Sequence, residues 1–215
     1  NNIRLSKMHR HYDIILSMSK MFLLNRLSNY TVDNNESFCF LFPTVLLFEG
    51  FIGGFMQDVL SEYGAKVKLQ QSEMHLIEDV IYGERSLGAA FTMRHDILVE
   101  TKNKIFILDT KYKQVSRFEG NDEEVMRVVR EEPKQTDIYQ VCEYARKRGI
   151  QDAYLLYPMY RYEDRETIFP VGISPSPSGD IRIHFIRVPF VFEEDSEKMK
   201  EQLKSIILDI IGIDA

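Results

Sequence analysis

Two short β-rich runs, Asp96 to Glu100 and Ile105 to Lys111, flank the polar tetrapeptide Thr101-Lys102-Asn103-Lys104, the pattern of a β-hairpin. The loop reads as two residues (Lys102-Asn103) or as four (Thr101 to Lys104), and the register is the same either way. Residue 100 faces 105, and residue 96 faces 109. Asp96 and Asp109 then lie directly opposite, with Cβ atoms about 4.5–5.5 Å apart. Side chains alternate along a strand, so Lys111 shares the face of Asp109. Two carboxylates this close, on strands rich in Ile and Leu, repel one another. A divalent cation offsets that repulsion, and Mg²⁺ favours one or two carboxylates together with water and a substrate phosphate. A lysine beside such a metal can orient or deprotonate an attacking water, or stabilise charge that builds on a phosphate. An Asp at a strand start and an Asp-x-Lys at a strand end also arise by chance in sheets. The register and the apolar neighbours of Asp109 favour a site.

Other residues are candidates to wall that site. Glu49 is the sole charged residue between Pro43 and Gln57. A lone carboxylate on an apolar helix is costly without a partner or a metal, so Glu49 is a candidate third acid, with an ion pair to another helix as the alternative. Gln140 and Tyr144 are four apart in Asp137-Ile138-Tyr139-Gln140-Val141-Cys142-Glu143-Tyr144, which places both on one helical face. An amide and a phenol there can contact a phosphate or hold a metal-bound water; a polar edge of an amphipathic helix gives the same spacing. Lys102, Lys104, Lys111 and Lys113 with Arg117 form one basic cluster, and Arg146-Lys147-Arg148 another. Either can meet phosphates, and a solvated face explains each equally well. His9, His11, His75, His95 and His184 show no metal-ligand spacing.

The elements that must position these residues follow from periodicity. An amphipathic helix is expected from His11 to Leu27, and a polar loop from Ser28 to Ser37. A second helix is expected from about Thr44 to Tyr63, stopped by Gly64; it is apolar nearly all round and should be buried. One or two strands are expected within residues 66 to 80, followed by the hairpin. Residues 118 to 132, with Gly120-Asn121-Asp122-Glu123-Glu124, read as a loop or a short exposed helix. A helix runs from Gln135 to Arg148 and ends at Gly149. Strands follow at Asp152 to Tyr157, Thr167 to Ile173 and Ile181 to Val188, the last two joined by a Ser/Pro-rich turn over 174–180. A helix from Ser196 to Ile211 closes the chain. This order implies an α/β fold with a central mixed β-sheet flanked by helices.

Composition bounds the function classes. The 215 residues are 44% hydrophobic and 28% charged, an ordinary globular balance. The net charge of −6 argues against a generally basic nucleic-acid coat but allows a local patch. Cys39 and Cys142 lie far apart and form neither a zinc pattern nor a disulfide framework, which fits a reducing, cytoplasmic setting. No stretch of 18 uncharged apolar residues exists, so no membrane partner is expected. Asn1-Asn2-Ile3 does not look like a natural start, so the chain is expected to be a C-terminal fragment of a longer protein.

Arg94-His95-Asp96-Ile97 followed by Leu108-Asp109-Thr110-Lys111-Tyr112-Lys113 resembles the signature of the PD-(D/E)xK nuclease superfamily. With Leu47-Phe48-Glu49 opening a helix and Asp137-Ile138-Tyr139-Gln140 heading another, it resembles more narrowly the McrC nuclease subunits of McrBC methylation-dependent restriction systems. The likeness extends from about Tyr12 to the last strand. Gln140 and Tyr144 also fit the Q-x-x-x-Y motif of RecB-like nucleases. The resemblance implies a restriction-endonuclease-like core over 38–215, with a helical segment over 1–37 packed on it. It implies Mg²⁺-dependent cleavage of double-stranded DNA, Mn²⁺ being a possible substitute. Asp96 and Asp109 would bind the metal, Lys111 would be catalytic, and Glu49 would be the helix-borne acid near the metal. Gln140, Tyr144 and Lys113 would support the site or meet DNA. The implied partner is a McrB-like AAA+ GTPase that recognises modified cytosine. The alternatives are a stand-alone RecB-like or repair nuclease, and a degenerate nuclease fold kept as an assembly subunit. His95 stands where the family usually has proline.

Overall fold

A computed structural model of the chain describes residues 29–32, 35–38, 43–116, 120–159, 171–173, 181–190 and 196–213. The helix expected from His11 to Leu27, Cys39, Arg117 and the turn over 174–180 lie outside them. The chain divides into two units, residues 1–43 and 44–215. In the first, the stretch read as a polar loop holds an antiparallel hairpin, β1 (Asn29–Val32) and β2 (Asn35–Phe38), in the register Val32↔Asn35. Polar composition suggested the loop, but Tyr30, Thr31, Val32 and Phe38 are strand formers.

The second unit begins with helix α1 (Thr44–Ser61). The sequence expectation of burial all round is not met. Phe48, Ile52, Met56, Val59 and Leu60 form a buried stripe, whereas Val45, Leu46 and Leu47 are exposed. Spacings of three and four select one face of the helix, whatever the residues on the other face. Gly64, at φ +70, turns the chain into β3 (Lys66–Ile77). A small hairpin, β4 (Ile81–Tyr82) and β5 (Arg85–Ser86), was not expected from the sequence and turns through Gly83 at φ +64. Next come β6 (Ala90–Glu100), which is longer than its sequence pattern suggested, and β7 (Ile105–Thr110). Helix α2 (Asp122–Glu131) resolves the loop-or-helix choice in favour of the helix. Its start is fixed by a capping box between Asn121 and Glu124, so two otherwise orphaned N–H groups are satisfied reciprocally. Helix α3 (Gln135–Arg148) ends at Gly149 in the left-handed conformation, as expected. Then follow β8 (Asp152–Met159), β9 (Val171–Ile173), β10 (Arg182–Pro189) and α4 (Ser196–Ile211).

Six strands form one mixed sheet in the order β3-β6-β7-β8-β10-β9. The β3–β6, β6–β7 and β10–β9 pairs are antiparallel, and β7–β8 and β8–β10 are parallel. The α/β class and the mixed sheet flanked by helices are therefore as the sequence pattern implied. Parallel neighbours need a crossover, and α2 and α3 supply it between β7 and β8. One face of the sheet buries Ile97, Val99, Leu108, Tyr154 and Leu156 against α1 and α4. The other buries Leu98, Ile107, Ala153, Leu155 and Tyr157 against α2 and α3. The central strands are thus covered on both sides, and they read as near-continuous apolar runs for that reason. Leu108 is fully buried. Leu108→Ala is expected to cost about 2–5 kcal/mol of stability, measured by urea unfolding.

Candidate active site

The β6–β7 ladder has the register read from the sequence: Glu100 pairs with Ile105, and Ile97 with Leu108. It stops one residue short of the two aspartates. Beyond that point β6 and β7 part, and the backbone N–H of Thr110 loses its strand partner. The Asp96 carboxylate takes its place: Oδ2 accepts the Thr110 N–H at 2.8 Å and the Thr110 hydroxyl at 3.0 Å. A buried N–H must find an acceptor, and this one fixes Asp96 against the end of β7.

Asp109 is 1% exposed, on the sheet face that α3 covers. Its Oδ2 lies 2.5 Å from Lys111 Nζ in a tight ion pair, and no other group among the described residues hydrogen-bonds to either carboxylate oxygen. Burial, and then the charge of Asp96, push the Asp109 carboxyl up to about 7, against the pull of Lys111. Burial alone would lower Lys111, but the carboxylates of Asp109, Asp96 and Asp137 outweigh it and hold the ammonium above its ordinary range. Lys111 is therefore charged in the metal-free protein.

A chain of hydrogen bonds runs from Lys111 back to β6. Lys111 Nζ reaches Gln140 Oε1 at 3.4 Å, Gln140 Nε2 donates to Tyr144 Oη at 2.8 Å, and Tyr144 Oη donates to the carbonyl of Arg94 at 2.8 Å. The helical spacing of Gln140 and Tyr144 thus places both on the site. Tyr144→Phe removes the last link; it is expected to cost about 1 kcal/mol in stability, and the measurement that checks it is a denaturant midpoint. His95, fully buried, packs on the Tyr144 ring with centroids 4.4 Å apart. Arg148 Nε lies 3.3 Å from His95 Nε2, and His95 Nδ1 lies 3.4 Å from the carbonyl of Gln71. Burial and the Arg148 charge lower the imidazole pKa, so the ring is neutral, accepting at Nε2 and donating at Nδ1. His95 therefore braces the strand just before Asp96.

Two expected residues sit differently. Lys113 Nζ pairs with Asp137 Oδ2 at 2.7 Å, so in this structure it is held by α3. Glu49 does not join the two aspartates: among the described residues no three His, Cys, Asp or Glu side chains are grouped to hold a metal. Helix α1 packs on the face opposite α3, and Glu49 Oε1 accepts instead from Gln70 Nε2 at 2.9 Å. Gln70 has φ +51 and lies beside the bulge between Gln71 and Met74. The basic run 146–148 is also dispersed. Arg146 pairs with Glu143, Lys147 with Glu78, and Arg148 turns to His95. Gln70 and the buried Tyr157, whose hydroxyl has no hydrogen-bond partner among the described residues, were missed by sequence reasoning. Thr110 and Asp137 stood inside the quoted motifs, but with no role of their own.

The donor set suits a hard divalent cation. Asp109 offers two buried oxygens, one of them held by Lys111 alone, and Asp96 is anchored nearby through one oxygen. Such carboxylates are the ligands Mg²⁺ takes, and an added positive charge relieves the repulsion that raises Asp109.

The arrangement defines an α/β protein with a buried carboxylate–carboxylate–lysine centre at the end of β7. The model of the McrBC 5-methylcytosine restriction system component family matches residues 1–158, and the chain belongs to that family. Among curated proteins none matches in sequence. A chain in the Thermococcus gammatolerans assembly of McrB AAA+ hexamers with bound McrC is similar at 12% identity and TM-score 0.48, covering 95% of this chain and 40% of that one. A crystal structure of a protein of unknown function is similar at 12% identity and TM-score 0.33, covering 75% of this chain and 66% of that one. The chain thus spans less than half of the first structure it matches. No helix among the described residues is long and apolar enough to cross a membrane.

Proposed function

We propose that the chain is the nuclease component of a McrBC-type system, hydrolysing phosphodiesters of double-stranded DNA with Mg²⁺. Mn²⁺ is the natural substitute. The observation that carries this reading is Asp109: a buried carboxylate near that of Asp96 whose one partner among the described residues is Lys111. Family membership supplies the system. The neighbouring McrB hexamers suggest an AAA+ GTPase as the partner that delivers DNA carrying modified cytosine.

Asp96 and Asp109 would hold the metal, with water and a phosphate oxygen completing its shell, while Glu49 stays with Gln70 on the far face of the sheet. When bound, the metal would supply Lewis-acid stabilisation of the phosphate and an activated water. The protein's own groups do the rest. Thr110 fixes Asp96 through Oδ2. Asp109 gives up its proton near neutrality to become a ligand. Lys111, kept charged by three carboxylates, is placed to stabilise negative charge on a phosphate oxygen rather than to accept a proton. Gln140 and Tyr144 hold the lysine in line with β6.

The test is cleavage of methylated and unmethylated plasmid, with and without the cognate GTPase and GTP, in Mg²⁺. Cutting of methylated DNA in the complete mixture is the expected result. Cutting without the partner would favour a stand-alone repair nuclease. Assembly with the partner and no cutting in any mixture would favour a non-catalytic subunit and overturn the proposal.

A further inference from the structure

A groove of about 800 Å³ runs between α3 and the first half of β6. Phe91, Met93, Tyr139, Gln140, Tyr144 and Arg146 are among the residues that line it. Gln140 and Tyr144 also connect to Lys111, so the groove shares two wall residues with the carboxylate–lysine centre. Phe91 is anomalous twice over. Its backbone is at φ +59, and its side chain is 73% exposed. The left-handed region is unfavourable for a bulky residue, and an exposed ring gains nothing from the core to offset it. Folding alone would be served better by glycine at this position. Across the groove Tyr139 is 63% exposed on α3. Glu143 and Arg146 pair with each other, so the walls offer no unbalanced charge to a phosphate.

We infer that this groove seats an unpaired nucleobase of the DNA strand whose phosphate lies at Asp96, Asp109 and Lys111, with Phe91 and Tyr139 stacking on it. The inference rests on the nuclease reading, since it is the strand attached to that phosphate that enters the groove. An apolar, charge-balanced slot with exposed rings suits the flat face of a base and not its backbone, and such stacking tolerates any sequence. A polypeptide is the competing occupant, because exposed Leu76, Ile81, Tyr82 and Leu87 lie on the neighbouring strands and loop.

The experiment uses the full chain with Ca²⁺, which allows binding without fast cleavage, and a duplex ending in a short single-stranded overhang that fixes the register and carries 2-aminopurine at successive unpaired positions. Quenching at one position is expected with the wild type. Phe91→Gly and Tyr139→Ala should each lose the quenching and weaken binding about ten-fold, the range of base–aromatic stacking. Phe91→Gly should melt at the same temperature or higher, which separates binding from folding. Variants that bind and quench as the wild type does, or a wild type that binds no DNA, would overturn the inference. So would variants that change only oligomeric state or binding of the GTPase, which would assign the groove to a polypeptide. Stacking that depends on Phe91 without cleavage in the complete mixture would sink the nuclease reading and leave the groove. Cleavage unaffected by Phe91 and Tyr139 would do the reverse.

Discussion

Asp109→Asn should reduce Mg²⁺-dependent cleavage by at least about a thousand-fold, the scale of losing a main electrostatic element of a catalytic centre. The amide keeps the shape of the carboxylate but supplies no negative charge, so both ligand strength and the anchor of Lys111 are lost. The fold should survive, because Asp109 makes no hydrogen bond that the sheet depends on. Circular dichroism of the variant should match the wild type, while plasmid nicking and linearisation with the GTPase present should vanish. Equal cleavage by the two proteins would remove Asp109 from the site.

The same residue should make the metal-free protein less stable as pH rises. In the unfolded chain Asp109 ionises near its ordinary value of 3.8, but in the fold it does so at about 7. Below about pH 4 both states hold the proton and the residue contributes no difference. Between about 4 and 7 the unfolded chain releases a proton that the fold retains, so stability falls by about 1.4 kcal/mol per pH unit. Above 7 the loss is complete, on the order of 4 kcal/mol. Asp109→Asn has no such titration. The melting temperature of the variant minus that of the wild type, in chelator, should therefore climb between pH 4 and 7 and then level off. About ten degrees is expected at the plateau. A flat difference would mean that Asp109 is not held neutral. Mg²⁺ should act in the opposite direction: it selects the ionised carboxylate, releases a proton below pH 7, and stabilises the wild type more at pH 8 than at pH 6.

How far the sequence disclosed this centre depended on the length scale of each relation. Asp96, Asp109 and Lys111 are tied by a four-residue connection, and a local hairpin leaves the register no freedom that loop choice can alter. Gln140 and Tyr144 are tied by helical spacing, so their shared face was also legible. Glu49 was not. Its apolar helix announces burial, but which face of the sheet covers that helix is set by the whole core, and here α1 and α3 lie on opposite sides. Gln70 holds Glu49 from a left-handed backbone beside a bulge, and neither feature has a signature in the run Lys68-Leu69-Gln70-Gln71-Ser72. The run Arg146-Lys147-Arg148 left two readings open because charges adjacent in sequence point in several directions once wound on a helix, where these three find three different partners. The β4–β5 hairpin was missed because two-residue strands are too short to show alternation.

Thr110 sits where a motif written Asp-x-Lys allows any residue. In this protein both of its donors fall on one oxygen of Asp96, fourteen residues earlier. The wildcard is therefore not free: valine would preserve the shape and the backbone donor yet leave that oxygen short of a hydrogen bond, and only serine can stand in chemically. A search pattern that demanded a hydroxyl residue between Asp and Lys, together with an aspartate thirteen before the second acid, would carry more information than the three-letter motif. It would separate strands that build this corner from the many that merely spell it.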